Sequence, residues 1–237
     1  MQKKPQASLT TKNFILNALP KKDFERLHAH LEPVELALGE IIYRPDKPIK
    51  YIYFPENSMA SIVATTSSGQ CVEVGVVGRE GIVGVNVLLG VDSIANECFM
   101  QRGDGALRMK TETARQVFKE GGAFQDLSLR FINFLMLQIS QTALCNRLHS
   151  VEEKLCRWLL MYHDRAENNK LTLTQEFLSI MLGVNRPSVT TVAVTLQSAG
   201  LIKYSRGLIT IIERQGIEDL ACDCYQAVKD EYDRLPK

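Results

Sequence analysis

Asn185, Arg186, Ser188, Thr190, Thr191 and Thr195 fall in one short stretch, "NRPSVTTVAVT". A planar guanidinium fork beside several short hydroxyls can bond base edges and phosphates and can touch thymine methyls. A second set lies in "GREGIVG", where Gly78, Gly81 and Gly84 surround Arg79 and Glu80. Such glycines either let a backbone approach a phosphate or serve tight turns. The third set is sulfur. Cys222 and Cys224 form a Cys-x-Cys pair inside "GIEDLACDCYQAVKDEYDRL", which reads as one helix. On a helix, positions i and i+2 point about 200° apart, so this pair is expected to pack rather than chelate, and no metal site is expected. His28, His30, His149 and His163 sit in no metal-ligand motif. No nucleophile–base pairing or nucleotide loop of a catalytic type is present, so an enzyme is not expected.

The elements that must position these groups follow from periodicity. Residues 14–31 read as a helical lead-in. Between 33 and about 108 the chain alternates apolar and polar, with seven candidate strands: "VELAL", "EIIYR", "KYIYFP", "MASIVATT", "CVEVGVVG", "ECFMQ" and "GALRM". Many short strands with frequent turns predict a β-roll, barrel or sandwich. From Thr111 the pattern is helical, and "TETARQVFKEGG" stops at a glycine pair. The segment "AFQDLSLRFINFLMLQISQTALCNRLH" predicts a long helix that is apolar on two sides. One stripe holds Phe124, Leu127, Phe131, Phe134, Leu137, Leu144 and Leu148; the other holds Leu129, Ile132, Met136, Ile139 and Ala143. A surface helix needs one stripe only. Either one side packs on the β domain and the other on a second copy, or the helix is buried within one subunit. Leu127, Phe131, Phe134, Gln138, Gln141, Leu144 and Leu148 are the candidate dimer contacts, with Asn133, Gln138 and Gln141 able to fix register.

Ser150 and Glu153 have capping-box spacing, so a new helix is expected after His149. Thr174 is a good N-cap for a short helix from Gln175 to Leu182; Gly183 ends it. Asn185 caps a second helix with Pro187 in its first turn, burying Val189, Val192 and Leu196. Residues 201–212 then read as a hairpin turning at Ser205-Arg206-Gly207. Two short helices and a hairpin predict a winged helix-turn-helix. Its candidate DNA contacts are Thr174, Gln175, Asn185, Arg186, Pro187, Ser188, Thr190, Thr191 and Thr195, with Lys203 and Arg206 on the wing. Three regions are expected: 1–122, an N-terminal helix and β-roll; 123–148, the long helix; and 149–237, the DNA-binding domain with a C-terminal helix packed against it. The fold class is α+β.

The composition agrees with this division. The 237 residues suit two ordinary domains, and 45% hydrophobic with 23% charged residues is a globular mixture. A net charge of +1 gives no global steering, so nucleic-acid binding depends on a local basic patch. From 171 to 214 four cations face two acids, which is weak for one copy and calls for two. No apolar run is long enough to span a membrane, no secretory leader is expected, and scattered cysteines suit reduced cytoplasmic thiols.

The β-rich first half, the long helix, "TQEFLSIMLGVNRPSVTTVAVTLQSAGLI" and the hairpin together resemble the Crp/Fnr superfamily of bacterial transcription regulators. Leu38-Gly39-Glu40, "YIYFPENSMASIV" and "VGREGIVG" carry the likeness in the first half. The resemblance implies a homodimer with a cyclic-nucleotide-binding-like β-roll, reading a palindromic DNA site and able to contact RNA polymerase. Arg186 matches the first base-contacting position of the best-known members; Pro187 and Thr191 stand at the other two, so a different operator is expected. Cyclic-nucleotide binders of the family carry an arginine downstream of the glycine-and-acid turn. Here "VNVLLGVDSIANECFMQ" has neither arginine nor lysine, and the position falls near Ser93 to Asn96. An unpaired phosphate in a partly dry pocket is costly, so no cyclic nucleotide or other cofactor is expected by that route. Gly78, Arg79, Glu80, Gly81 and Asn96 remain the candidate pocket. The superfamily's oxygen sensors carry an N-terminal cysteine cluster for iron–sulfur ligation; no cysteine precedes Cys71 in this sequence, so that mechanism is not expected. The competing reading is a small-molecule-sensing module that acts on a protein partner rather than on DNA.

Overall fold

The computed structural model describes residues 11–166 and 168–236. The lead-in is two helices, α1 (Phe14–Asn17) and α2 (Lys21–His28), rather than one. Pro20 divides them because it lacks the N–H a continuing helix needs, and it serves instead as the start of α2.

All seven expected strands form: β1 (Glu32–Leu36), β2 (Ile41–Tyr43), β3 (Tyr51–Pro55), β4 (Met59–Thr65), β5 (Cys71–Val77), β6 (Glu97–Arg102) and β7 (Asp104–Lys110). They make two antiparallel sheets, ordered β1-β7-β3 and β2-β6-β4-β5. Phe54, Ile52, Met59, Met100 and Met109 are fully buried in this half of the molecule. A short 3-10 helix, Val85–Leu89, follows the glycine turn. Next come α3 (Thr111–Lys119) and the long α4 (Ala123–Leu148).

The two apolar sides of α4 are real, but they divide differently from the expected assignment. Phe131, Phe134 and Gln138 are buried within this chain, not offered to a second copy. Burying the two phenylalanines contributes roughly 1.5–3 kcal/mol each. Gln138 lies against β5, the edge of its sheet. Its Oε1 accepts from the Val76 N–H at 2.6 Å and its Nε2 donates to the Val76 carbonyl at 3.2 Å. The side-chain amide thus satisfies an exposed strand edge, a role that requires burial rather than an intersubunit register contact. Leu127 and Gln141 are half-buried, while Leu144 and Leu148 are exposed. The opposite stripe carries further uncovered apolar surface: Leu129 is 45% and Met136 64% exposed, and Ile139 and Ala143 are exposed as well.

The second half begins at α5 (Val151–His163), whose capping box between Ser150 and Glu153 forms as the spacing predicts. There follow β8 (Lys170–Thr172), α6 (Gln175–Leu182), α7 (Arg186–Ser198), β9 (Ile202–Ser205), β10 (Leu208–Ile211), α8 (Arg214–Leu220) and α9 (Asp223–Asp233). The wing is three-stranded, β8-β10-β9, one strand more than the hairpin expected. The C-terminal segment is two helices broken at Ala221 and Cys222. Of these, α8 packs on α5 as expected, whereas α9 lies mainly along α4, where the Tyr232 ring lies tilted 6.0–6.1 Å from the rings of Phe14 and Phe134. That contact explains why Phe134 is unavailable to a partner.

Candidate nucleic-acid interface

The helix-turn-helix is built by local rules. Thr174 Oγ1 accepts from the Phe177 N–H at 3.0 Å and starts α6. Gly183 ends it at φ 62°, a left-handed conformation that favours glycine. Asn185 Oδ1 accepts from the Ser188 N–H at 2.9 Å, and Pro187 stands in the first turn of α7. The two helices meet at 110°, within the range of this motif. Val189, Ala193 and Leu196 are the buried positions of α7. Val192 is only half-buried, because Ala193 sits closer to the centre of the inward face.

Asn185, Arg186, Pro187, Thr191 and Thr195 are all exposed on one side of the domain. Thr191 and Thr195 return their hydroxyls to the carbonyls of Pro187 and Thr191, at 3.1 and 3.2 Å, which leaves their methyl groups facing outward. Ser188 and Thr190 are half-buried and partly committed: Ser188 bonds Asn185, and Thr190 bonds Gln175 Oε1 at 2.8 Å, tying α7 to α6. Val194 lies on the same outer face and is 57% exposed. It was not among the residues expected from the sequence, since valine reads as a core residue. An exposed apolar side chain among threonines matches the methyl of thymine in a major groove.

Thr174, Gln175, Arg186, Tyr204, Arg206 and Gly207 line a groove of about 380 Å³ between α6, α7 and the wing. Two guanidinium groups, a hydroxyl and the N-terminal turn of α6 therefore converge. The wing turn helps to build it. Arg206 has φ 50° and Gly207 φ 77°, the paired left-handed geometry of a tight two-residue hairpin. An arginine held in that conformation is strained, and it is one of the residues that line the groove. Tyr204 is fixed beneath it by its hydroxyl on the Leu173 carbonyl at 3.0 Å and by its N–H on Gln197. Its phenol is pushed up from its ordinary range by burial, against the pull of the Arg186 charge. Lys203 is exposed on β9.

The glycine turn is placed quite differently. Glu80 is buried and pairs with Arg165, Nε to Oε1 at 2.7 Å, while the same oxygen accepts from the Gly78 N–H at 3.1 Å. A Cβ on Gly81 would overlap the Phe131 ring of α4. From the other side, Asn13 Nδ2 donates to the Gly81 carbonyl at 2.9 Å and the Phe14 N–H to the Arg79 carbonyl at 2.7 Å. The Arg79 guanidinium stands 5.7 Å from the Phe14 ring. Asn96 donates instead to the Val63 carbonyl on β4, at 3.3 Å. Gly78, Arg79, Glu80, Gly81 and Asn96 thus do not come together as a pocket. Close packing, rather than ligand approach, explains the glycines at 78 and 81. The turn is a joint at which the N-terminal helices, α4 and the end of α5 meet.

Residues 153–220 match the family description of a Crp-like helix-turn-helix domain. No curated protein matches the sequence significantly. Among solved structures, FixK2 from Bradyrhizobium japonicum superposes with a TM-score of 0.70 at 15% identity, covering 81% of this chain and 98% of that one. A transcriptional regulator of the Crp/Fnr family from Eubacterium rectale gives 0.68 at 15% identity, covering 87% and 96%. The c-di-GMP-responsive global regulator CLP of Xanthomonas campestris gives 0.61 at 17% identity, covering 81% and 99%. These likenesses show a shared fold over most of the chain.

Proposed function

We propose that this protein, a regulator of the Crp/Fnr type with a Crp-like helix-turn-helix domain, acts as a homodimer that binds a palindromic DNA site and thereby controls transcription. The observation that carries the reading is the groove of Thr174, Arg186 and Arg206 beside an outer α7 face of threonine methyls and Val194. One phosphate fits the groove while α7 enters the major groove. Arg186, at the first turn, meets the O6 and N7 of guanine, and Thr191, Val194 and Thr195 meet thymine methyls. Lys203 holds a neighbouring phosphate.

Dimerisation is supported by the uncovered stripe of α4. Leu129, Met136, Ile139 and Ala143 are exposed, and with Ile132, which is half-buried against the core, they follow each other at alternating steps of three and four, the spacing of a two-stranded coiled-coil seam. Two domains so joined would read half-sites about one helical turn apart. Gating by a cyclic nucleotide at the 78–84 turn is not part of this reading. Glu80 is committed to Arg165, and Arg115 of α3 grips the following segment through Val87, Val91 and Asp92.

Selection of bound sequences from a random duplex library, followed by gel shift, tests the function. A palindromic consensus bound in a salt-sensitive, saturable way is expected. Binding equal for all sequences would refute it. Met136→Asp is expected to yield monomers in sedimentation and to lose specific binding; a dimer that persists would place the interface elsewhere.

A further inference from the structure

Cys145, His149, Cys222 and Cys224 come together where α4 ends and α9 begins. Their ligand atoms all lie within 4.8 Å of one another, and the three cysteines are buried. The arrangement depends on the two helix ends. Cys145 is in the last turn of α4, and His149, four residues on, caps that helix in an extended conformation, φ −103° and ψ 154°. Cys222 is not on a helix. It is the extended residue that starts α9, φ −70° and ψ 160°, with Cys224 in the first turn. The opposed directions expected of a helical Cys-x-Cys pair therefore do not apply, and both thiols turn toward α4.

We propose that Cys145, His149, Cys222 and Cys224 form a Cys3His site for a single soft divalent cation, with Zn2+ as the occupant, clipping the end of α4 to the start of α9. The spacing carries this. Four ligands held tetrahedrally at zinc distances stand roughly 3.3–3.8 Å apart along each edge. Cys145 Sγ lies 3.5 Å from Cys222 Sγ, and Cys224 Sγ lies 3.6 Å from His149 Nδ1. The Asp223 carboxylate stands 3.7 Å from the Nε2 of the same imidazole, longer than a hydrogen bond but near enough to become the outer partner of a metal-binding histidine after a small shift. Three thiolates and a neutral imidazole around a divalent ion leave one negative charge. Arg157, buried on α5 and donating to Thr142 Oγ1 at 2.9 Å, exerts its charge on Cys145 and Cys224 and offsets it. A disulfide would use two of the four groups and leave the convergence of the third thiol and the imidazole unexplained.

The site spans 77 residues of sequence between Cys145 and Cys222. It fixes the His149–Ser150 junction, where the long helix hands over to the DNA-binding domain, so the ion would set the angle between them.

The test uses the full chain, purified under reducing conditions and reconstituted with Zn2+ or Co2+. About one metal per chain is expected by elemental analysis. The cobalt form should show the visible bands of tetrahedral thiolate coordination. Cys145→Ser, Cys222→Ser and Cys224→Ser should each weaken binding by tenfold or more, about 1.4 kcal/mol or more, whereas Cys71→Ser should not change it. If a variant fails to fold, titration of the intact protein with a mercurial supplies the answer, since release should coincide with modification of these thiols. Metal content well below one per chain after reconstitution would overturn the proposal. So would a Cys145–Cys222 disulfide in place of metal, or binding that Cys71→Ser and Cys224→Ser affect alike. None of these readouts depends on DNA binding.

Discussion

The glycine turn at 78–84 and the helix-turn-helix at 174–207 both set charged side chains beside short polar groups, yet they commit them in opposite ways. Glu80 is fully enclosed and paired with Arg165, which also donates to the Met161 carbonyl at 2.8 Å. Arg186 and Arg206 are exposed and line an open groove. A buried charge must find its partner inside the molecule, so the turn became a structural joint. An exposed arginine in a strained or helix-starting position is not needed for folding, so it remains available to a ligand. The residue types are alike; the water around them decides the role.

The joint should be the more fragile of the two regions. Arg165→Ala leaves Glu80 buried without its partner and is expected to destabilise the fold by about 3–5 kcal/mol in chemical denaturation. A loss under 1 kcal/mol would mean that water reaches Glu80 and that the turn is more open than described.

Glu73, close to the same joint, sharpens the comparison through pH. It is buried, accepts from Trp158 Nε1 at 2.7 Å and Ser61 Oγ at 2.6 Å, and burial pushes its carboxyl up to about 7. The folded state therefore holds this proton more tightly than the unfolded chain, whose carboxyl titrates in the ordinary glutamate range near 4.5. Its contribution is most favourable below 4.5 and declines as pH rises toward 7, by up to about 3 kcal/mol. Glu73→Gln should flatten that part of the stability profile, measured by thermal unfolding from pH 4.5 to 8. An unchanged slope would assign it to other groups.

The exposed region should respond in binding and hardly in stability. Arg186→Ala is expected to weaken the preferred site by about 1–3 kcal/mol and to relax preference at a single base pair. Lys203→Ala is the smallest effect: all sequences should weaken alike, with the salt slope reduced by about one. A loss for Lys203→Ala confined to one base position would exchange the two roles.

Much of this was legible beforehand. Every strand of the β-roll, the Ser150 capping box, the Thr174 and Asn185 caps and the Gly183 turn follow from residues within four positions of one another. The assignment of the two α4 faces was not, because Phe131 and Leu129 are equally apolar and helical spacing does not say which neighbour arrives. Val194 was missed for a related reason: a valine on a helix carries no mark of exposure. The Cys222–Cys224 geometry was misjudged because the break at Ala221 is not signalled by glycine or proline.

By itself, then, the sequence determined the elements, their caps and turns, and the outward polar character of α7, because these rest on hydrogen bonds and periodicities that close within a helical turn or a hairpin. Tertiary structure alone decided that Glu80 meets Arg165 across 85 residues, that Gln138 satisfies the edge of β5 across 62, and that three cysteines and a histidine from two helix ends converge. Such contacts depend on which surfaces are excluded from water together, and local pattern carries no record of that.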